Sequence, residues 1–190
     1  MRPKFIIGLV GTNASGKGYV SEYIVKNYGG IQITFSGYLA RVLDAMNLER
    51  TKENLIKMSV ALRREFGEET FSHTVSTDAI HSDQEIVVVD GIRRIGDLAN
   101  FKPLSEFKLI GIDADPKIRF ERMKARVGDK KDDATTTWET FQKKETAPTE
   151  VTIPEVIKLV DFQIDNSGTV QDLEKKIDEV MKDIGVPKRA

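Results

Sequence analysis

The feature that most constrains this chain is the segment VGTNASGKGYVSEY at residues 10–23. It has the spacing G-x-x-x-x-G-K from Gly11 to Lys17, between a continuous apolar run at 5–10 and a helical pattern. Between a buried strand and a helix, such a loop turns its backbone N–H groups toward a phosphate, and the helix N-terminus adds partial positive charge. The segment therefore predicts a phosphate-binding loop, and a glycine-rich turn without a ligand is the alternative.

The loop predicts a nucleotide site in which Lys17 reaches the β- and γ-phosphates. Gly18 and Tyr19 stand where most such loops place a Ser or Thr that touches Mg²⁺. Mg²⁺ must then be held by phosphates, water and a carboxylate from elsewhere in the chain. The residues expected to contact the nucleotide are Gly11, Asn13, Ala14, Ser15, Gly16, Lys17, Gly18 and Tyr19.

Apolar runs and helical patterns alternate along the whole chain, which predicts an α/β three-layer sandwich with a parallel five-stranded sheet. The 190 residues fit a single domain. In such sheets ligands bind at the carboxyl ends of the strands, so the segments after the first three strands should meet in one crevice. The predicted strands are 5–10, 31–35, 85–90, 107–113 and 160–166. The predicted helices begin at Lys17, Ser36 (as N-cap), Thr51 (as N-cap), Asp115-Pro116 and Thr169.

The composition excludes several classes of protein. A net charge of −1 gives no electrostatic footprint for nucleic acid. The absence of cysteine excludes disulfides, thiolate metal sites and a cysteine nucleophile. The N-terminal apolar run is too short for a signal peptide or a membrane span. We expect a cytoplasmic protein with small-molecule partners, no nucleic acid and no membrane, either a monomer or a homodimer.

A second candidate site is the segment VVVDGIRR at 87–94. Asp90 ends a buried apolar strand, where a carboxylate is costly unless it binds water, a metal or a hydrogen-bond donor. This is the position of an aspartate that holds Mg²⁺ through water in phosphoryl-transfer proteins. The alternative is an aspartate that caps the next turn.

Arginines recur at helical spacing further along the chain. Arg119, Arg122 and Arg126 are separated by three and four residues, so they share one helix face. The segment after Gly128 is polar until Trp138. This pattern predicts a mobile lid within 119–145, with a short insertion at about 126–138. Its arginines, Arg122 and Arg126 more than Arg119, would neutralise the transferred phosphoryl group and exclude water when the lid closes. A solvated helix with ordinary salt bridges is the alternative.

These segments resemble the P-loop nucleotide kinase superfamily, in particular adenylate kinases and other nucleoside monophosphate kinases. Those loops also place a glycine after the lysine, usually followed by Thr where this chain has Tyr19. VVVDGIRR resembles their DGFPR segment, with Arg94 on its arginine and Arg93 on its proline. FSGYLAR resembles STGDLLR, which implies that Arg41 binds the acceptor phosphate, although Tyr38 replaces the family's Asp.

The last strand leads into DNSGTVQDL, which resembles a stretch of dephospho-coenzyme A kinases and of uncharacterised archaeal P-loop kinases. The resemblance implies that Asn166 to Thr169, including Gly168, lie against the adenine; a strand-to-helix turn capped by Thr169 is the alternative. The resemblance to the archaeal group covers most of the chain, including TKENLIKMSVALRREFG and the acidic pair Asp132 and Asp133.

The resemblance implies phosphoryl transfer from ATP, with Mg²⁺, to a small phosphorylated acceptor, a nucleoside or deoxynucleoside monophosphate. The alternatives are a dephospho-coenzyme A kinase-like enzyme, and a nucleotide-binding regulatory protein or slow NTPase. Dephospho-coenzyme A kinases carry an Asp near the end of this strand that can act as a base, whereas this chain has TFSG there, which argues against that activity. The absence of a hydroxyl residue directly after Lys17 supports a nucleotide-binding protein without transfer activity. The implied roles are catalysis for Lys17, Arg94, Arg122 and Arg126, metal binding for Asp90, and acceptor binding for Ser36, Arg41, Arg93 and Arg94.

Overall fold

A five-stranded sheet forms the centre of the protein. The computed structural model describes residues 4–125, 136–147 and 150–189. The strand order is β2-β3-β1-β4-β5, and every neighbouring pair is parallel. The strands are β1 (Phe5–Val10), β2 (Ile31–Thr34), β3 (Ile86–Ile92), β4 (Phe107–Asp113) and β5 (Phe162–Asp165).

The residues that the structure describes form eight α-helices around this sheet. They are α1 (Lys17–Tyr28), α2 (Phe35–Ala45), α3 (Lys52–Phe66), α4 (Thr70–Ile80), α5 (Pro116–Lys124), α6 (Trp138–Glu145), α7 (Ile153–Ile157) and α8 (Val170–Ile184). The α/β class and the parallel five-stranded sheet are confirmed.

Alternation along the buried strands produces two cores. Successive strand residues point to opposite faces of the sheet, so neighbours such as Ile6 and Ile7 belong to different clusters. One core lies between the sheet and α2, α4 and α7, and the other lies between the sheet and α1 and α8. Both faces are therefore buried, as the continuous apolar strand sequences require.

The turn after β2 differs from the sequence prediction. Ser36 was expected to cap α2, but the helix begins at Phe35 and its N-cap is Thr34, whose hydroxyl accepts a hydrogen bond from the Gly37 N–H. Thr34 is the N-cap because an N-cap residue has extended backbone angles, as Thr34 does, whereas Ser36 already lies within the helix. The strand consequently ends one residue earlier than expected, at Thr34.

A bulge interrupts β3 at its carboxyl end. Leu9 of β1 lies opposite Asp90, and the next residue, Val10, lies opposite Ile92, which leaves Gly91 as the extra residue. Gly91 has φ of 96°, a conformation that favours glycine. The bulge lies beside Asp90, where the chain leaves the sheet.

Within the parts of the chain that the structure describes, every helix is too short or too polar to cross a membrane.

Candidate functional site

The loop between β1 and α1 has unusual backbone angles, and its carbonyls accept hydrogen bonds from Lys17. Ala14 and Gly16 have positive φ angles of 61° and 105°. The Lys17 ammonium group donates hydrogen bonds to the carbonyls of Gly11 (2.7 Å) and Thr12 (3.0 Å). The lysine therefore bends back over its own loop, so its charge lies over the backbone that would cradle a phosphate.

Two glycines of the loop have no room for a side chain. A Cβ atom on Gly11 would lie 2.1 Å from the Ile112 carbonyl oxygen, and one on Gly16 would lie 2.3 Å from the Asn166 side-chain nitrogen. The loop is thus pressed against β4 on one side and against the segment after β5 on the other. These contacts explain the glycine spacing from which the loop was predicted.

A cavity of about 240 Å³ opens beside the loop, at the carboxyl ends of β2 and β3. Its wall combines four cations, one carboxylate, hydroxyls and a large apolar area. The lining residues are Lys17, Thr34, Phe35, Ser36, Leu39, Lys52, Leu55, Ile56, Ser59, Arg63, Phe71, Asp90, Gly91 and Arg93. The segments after the first three strands do converge, as the parallel sheet predicted.

Helix α3 contributes one face to the cavity. Its lining positions are 52, 55, 56, 59 and 63, the spacing of one helical face. The Thr51 hydroxyl, which accepts from the Asn54 N–H at 3.1 Å, fixes where the helix begins. Because these side chains line the cavity, they are candidate determinants of acceptor choice.

Asp90 is placed where a metal ligand is needed. It lies beside Thr34 in the sheet, and its Oδ1 atom is buried without a hydrogen-bond partner in the described ranges of the chain. No group of three or more His, Cys, Asp and Glu that could hold a metal occurs in the described ranges. A single carboxylate oxygen with an open bonding position fits Mg²⁺, which is commonly held by one or two carboxylates, water and substrate phosphates.

The structure separates Arg93 from Arg94. Arg93 lines the cavity and donates a very short hydrogen bond to Glu150, while its carbonyl accepts from the Thr152 hydroxyl at 2.8 Å. Arg94 is not among the described cavity-lining residues and donates to the Glu68 carboxylate at 3.1 and 3.2 Å. The sequence left the choice between them open; the cavity favours Arg93.

Ser36 and Arg41, both expected to bind the acceptor, lie in different surroundings. Ser36 lines the cavity. Arg41 lies on the outer surface, with its guanidinium 4.2 Å from the Tyr38 ring centre and 3.8 Å from the Asp78 carboxylate. Its role as an acceptor ligand stays a prediction, since it is outside the described lining of the cavity.

Sequence reasoning missed a buried ion pair behind the cavity. Arg63 lines the cavity and donates to the Asp97 carboxylate at 2.6 Å, and both side chains are more than nine-tenths buried. The other oxygen of Asp97 accepts from the backbone N–H groups of Arg93 (2.9 Å) and Arg94 (3.0 Å). Asp97 therefore holds α3 to the backbone that follows β3. Thirty-four residues separate the pair, so no local pattern indicates it.

Arg119 connects the phosphate-binding loop to α6 through hydrogen bonds. It is buried, forms two hydrogen bonds with the Glu145 carboxylate (2.9 and 2.7 Å), and donates to the Asn13 carbonyl at 3.3 Å. Asn13 in turn contacts the Met123 sulfur at 3.6 Å. Because its nitrogens are engaged within the protein, Arg119 acts as a brace between α5, α6 and the loop.

Arg122 and Asn166 meet beside the loop. One terminal nitrogen of Arg122, Nη2, donates to the Asn166 side-chain oxygen at 3.4 Å, and the other, Nη1, is buried without a partner among the described residues. Asn166 is itself buried and donates to the Ser15 carbonyl at 2.8 Å. Gly168 lies in the turn before α8, which Thr169 caps as the sequence indicated.

Tyr19 turns away from the loop. Its hydroxyl donates to Glu174 of α8 at 2.5 Å, and this hydrogen bond raises the pKa of the Tyr19 hydroxyl above its ordinary value. A Cβ atom on Gly18 would meet nothing within 4 Å, so that residue is open to its surroundings. Tyr19 therefore does not replace the missing Mg²⁺-binding hydroxyl in this conformation.

Part of the predicted lid lies outside the described residues. This applies to Arg126, Asp132 and Asp133. Trp138, at the far end of the predicted lid, stacks on Phe141 with 5.2 Å between ring centres. Its ring also packs edge-on against Phe120, so Trp138 belongs to an aromatic cluster of the protein itself.

The fold and the loop are those of the P-loop kinase-like proteins, so the predicted superfamily is confirmed. The chain is similar in structure to TT1252 from Thermus thermophilus, with a TM-score of 0.60 and 17% identity over 96% of this chain and 98% of that one. It is also similar to shikimate kinase from Aquifex aeolicus, with a TM-score of 0.56 and 15% identity over 96% and 99%. At these identities the similarity concerns the fold alone.

The chain belongs to the AAA domain family, whose model matches residues 10–142. It is 29% identical over 181 residues to the UPF0200 protein MJ1399 of Methanocaldococcus jannaschii, which covers 94% of this chain and 90% of that protein. The matched range runs from the end of β1 into α6 and so contains the phosphate-binding loop.

Proposed function

We propose that this protein transfers the γ-phosphoryl group of ATP to a small phosphorylated acceptor, a nucleoside or deoxynucleoside monophosphate. The observation that carries the proposal is the shared cavity. Lys17 of the phosphate-binding loop, Asp90 and Arg93 line one space, so donor phosphates, metal and acceptor would meet there. In such a transfer, positioning and charge neutralisation supply the catalysis.

The donor side is built by the loop and α1. Backbone N–H groups at the N-terminus of α1 would bind the phosphates, and Lys17 would exchange its two carbonyl partners for phosphate oxygens. Asp90 would hold Mg²⁺ through its buried, unpartnered oxygen. When bound, Mg²⁺ supplies neutralising charge to the phosphate oxygens.

The acceptor side combines charge with apolar surface. Arg93 is proposed to bind the acceptor phosphate, and Arg41 and Arg94 remain further candidates. The apolar wall of Phe35, Leu39, Leu55, Ile56 and Phe71 suits a flat base. No general base is needed, because a phosphate acceptor is already anionic at neutral pH.

Arg122 and Arg126 are proposed to neutralise the phosphoryl group in transit. Support for Arg122 comes from its buried Nη1 atom, which has no partner within the described parts of the protein. A buried guanidinium nitrogen without an acceptor is costly, and a phosphate oxygen would satisfy it.

A hydroxyl acceptor, as in a dephospho-coenzyme A kinase, is the second candidate. Such an acceptor needs a carboxylate to take its proton, and Asp90 brings one carboxylate to the cavity wall. The same oxygen cannot at once bind Mg²⁺ and take a proton, so the two roles of Asp90 compete. We therefore place the phosphate acceptor first.

The deciding experiment measures ADP release from Mg-ATP with a panel of nucleoside monophosphates and dephospho-coenzyme A. The Lys17→Ala variant is the blank, because it removes the phosphate-binding cation, and its circular dichroism spectrum checks that it is folded. We expect release that depends on one acceptor and falls at least about 100-fold in the variant. ATP binding with no response to any acceptor would contradict transfer and favour a nucleotide-binding regulatory protein or a slow NTPase.

A further inference from the structure

We propose that Asn166 is a positioning residue: it couples the phosphate-binding loop to Arg122 and so places the arginine on the transferred phosphoryl group. The inference rests on the phosphoryl transfer proposed above. It differs from the role that resemblance implied for Asn166, which was contact with the adenine.

Both ends of the Asn166 amide are used within the protein. The Nδ2 atom donates to the Ser15 carbonyl at 2.8 Å, and the Oδ1 atom accepts from Arg122 Nη2 at 3.4 Å. The backbone N–H of Asn166 donates to the Asp113 carbonyl at 2.7 Å, which fixes the residue at the end of β5. With 5% of its surface exposed, the side chain has little freedom to turn toward a base.

The glycine at position 16 of the loop leaves room for this contact. A Cβ atom on Gly16 would lie 2.3 Å from Asn166 Nδ2, and Gly16 also has φ of 105°. The amide therefore occupies the space that a side chain at position 16 would need. The hydrogen bond to Ser15 then fixes the loop two residues before Lys17, where α1 begins.

Arg122, on α5, uses one of its terminal nitrogens to donate a hydrogen bond to Asn166. Within the part of the chain that the structure describes, Nη1 is left buried and without a partner, and Asn166 links this arginine to the loop that would hold the phosphates. An asparagine can orient an arginine without neutralising it, whereas a carboxylate at the same place would compete with phosphate for the charge. An amide here thus orients the guanidinium and keeps its charge available.

A double-mutant cycle tests the coupling. Asn166→Ala, Arg122→Ala and the double variant are compared with the unaltered chain for binding of ADP and of a non-hydrolysable ATP analogue, by calorimetry. We expect each single variant to weaken analogue binding about tenfold or more, to affect ADP less, and the double variant to be no weaker than Arg122→Ala alone. Additive losses, or equal losses for both nucleotides, would overturn the inference.

Two further variants guard against a general loss of structure. Asn27→Ala also removes an asparagine that donates to a backbone carbonyl, that of Tyr23 at 2.9 Å, but within α1 and away from the loop. It should bind both nucleotides normally. Asn166→Asp keeps the shape but places an oxygen against the Ser15 carbonyl and a negative charge on Arg122, so analogue binding should fall while the protein stays folded.

The outcomes separate this inference from the proposed function. If the unaltered chain binds neither nucleotide, phosphoryl transfer is wrong and the positioning role fails with it. If it binds the analogue and the cycle is additive, transfer stands and only the role of Asn166 is wrong.

Discussion

At the scale of single residues, the site depends on which way each arginine points. Arg93 and Arg94 are consecutive, and one faces the cavity while the other pairs with Glu68. In extended chain, successive side chains point to opposite sides, so the sequence alone could not choose between them. Asp97 fixes the choice, because it binds the backbone N–H groups of both.

Replacing these two arginines separately tests the acceptor site. We expect Arg93→Ala to raise the KM for the acceptor about tenfold or more, because it removes a charge-assisted hydrogen bond, and to change ATP binding little. Arg94→Ala is the matched variant and should have the smaller effect. Steady-state kinetics at saturating Mg-ATP measures both. A larger effect of Arg94→Ala would place the acceptor phosphate on the arginine that aligns with adenylate kinases.

At the scale of elements, the long apolar strands were predictable and α4 was not. FIIGLV and EIVVVD are continuous apolar runs of strand length, so local sequence and burial agree. TFSHTVSTDAI is rich in hydroxyl and β-branched residues, which disfavour a helix by themselves. It is helical because Phe71, Val75 and Ala79, four residues apart, are buried against the sheet.

Only some of the residues that line the cavity could be predicted from the sequence. Lys17 and Asp90 could be found in the sequence because each stands in a recognisable motif, Lys17 after one apolar run and Asp90 at the end of another. Arg63 could not, because its contact with Asp97 joins α3 to a turn 34 residues away. Contacts between distant segments are decided by packing, which one sequence does not reveal.

The bulge in β3 provides a test at the element scale. Gly91→Ala has space, since its Cβ would lie 3.6 Å from Phe35, but it must hold φ of 96°. We expect a loss of about 1–2 kcal/mol in the free energy of unfolding, measured with denaturant, and weaker acceptor binding as Asp90 shifts. Gly18→Ala, which meets no atom within 4 Å, should leave the stability equal or higher. Unchanged stability of Gly91→Ala would mean that the bulge relaxes freely.

At the scale of the whole molecule, the C-terminal segment ties two helices together. Asp178 of α8 accepts hydrogen bonds from Tyr23 (3.1 Å) and Tyr28 (2.7 Å) of α1 and from Lys188 (2.7 Å). Burial opposes the charge of Asp178, but these hydrogen bonds from Lys188, Tyr28 and Tyr23 lower its pKa below the ordinary value. The carboxylate therefore stabilises the folded chain only while it is ionised.

This coupling predicts a pH dependence. The folded pKa of Asp178 is lower than the unfolded one, so its contribution is complete above about pH 4 and disappears as the pH falls through the folded value. Asp178→Asn should lower the free energy of unfolding by about 1 kcal/mol at pH 7, a small amount because the group is partly exposed. Asp183→Asn, exposed on the same helix, is the control. A difference from wild type that persists unchanged at pH 2–3 would contradict the assignment.

The aromatic cluster beside the loop has a practical consequence. Trp138 is the single tryptophan of the chain, and 36% of its surface is exposed. It stacks on Phe141, whose ring lies 5.4 Å from the Arg119 guanidinium, and Arg119 is bonded to the loop at Asn13. The chain thus carries its own fluorophore three contacts from the loop that would bind the phosphates, so we expect a nucleotide titration to change its intrinsic emission, without a label and without turnover.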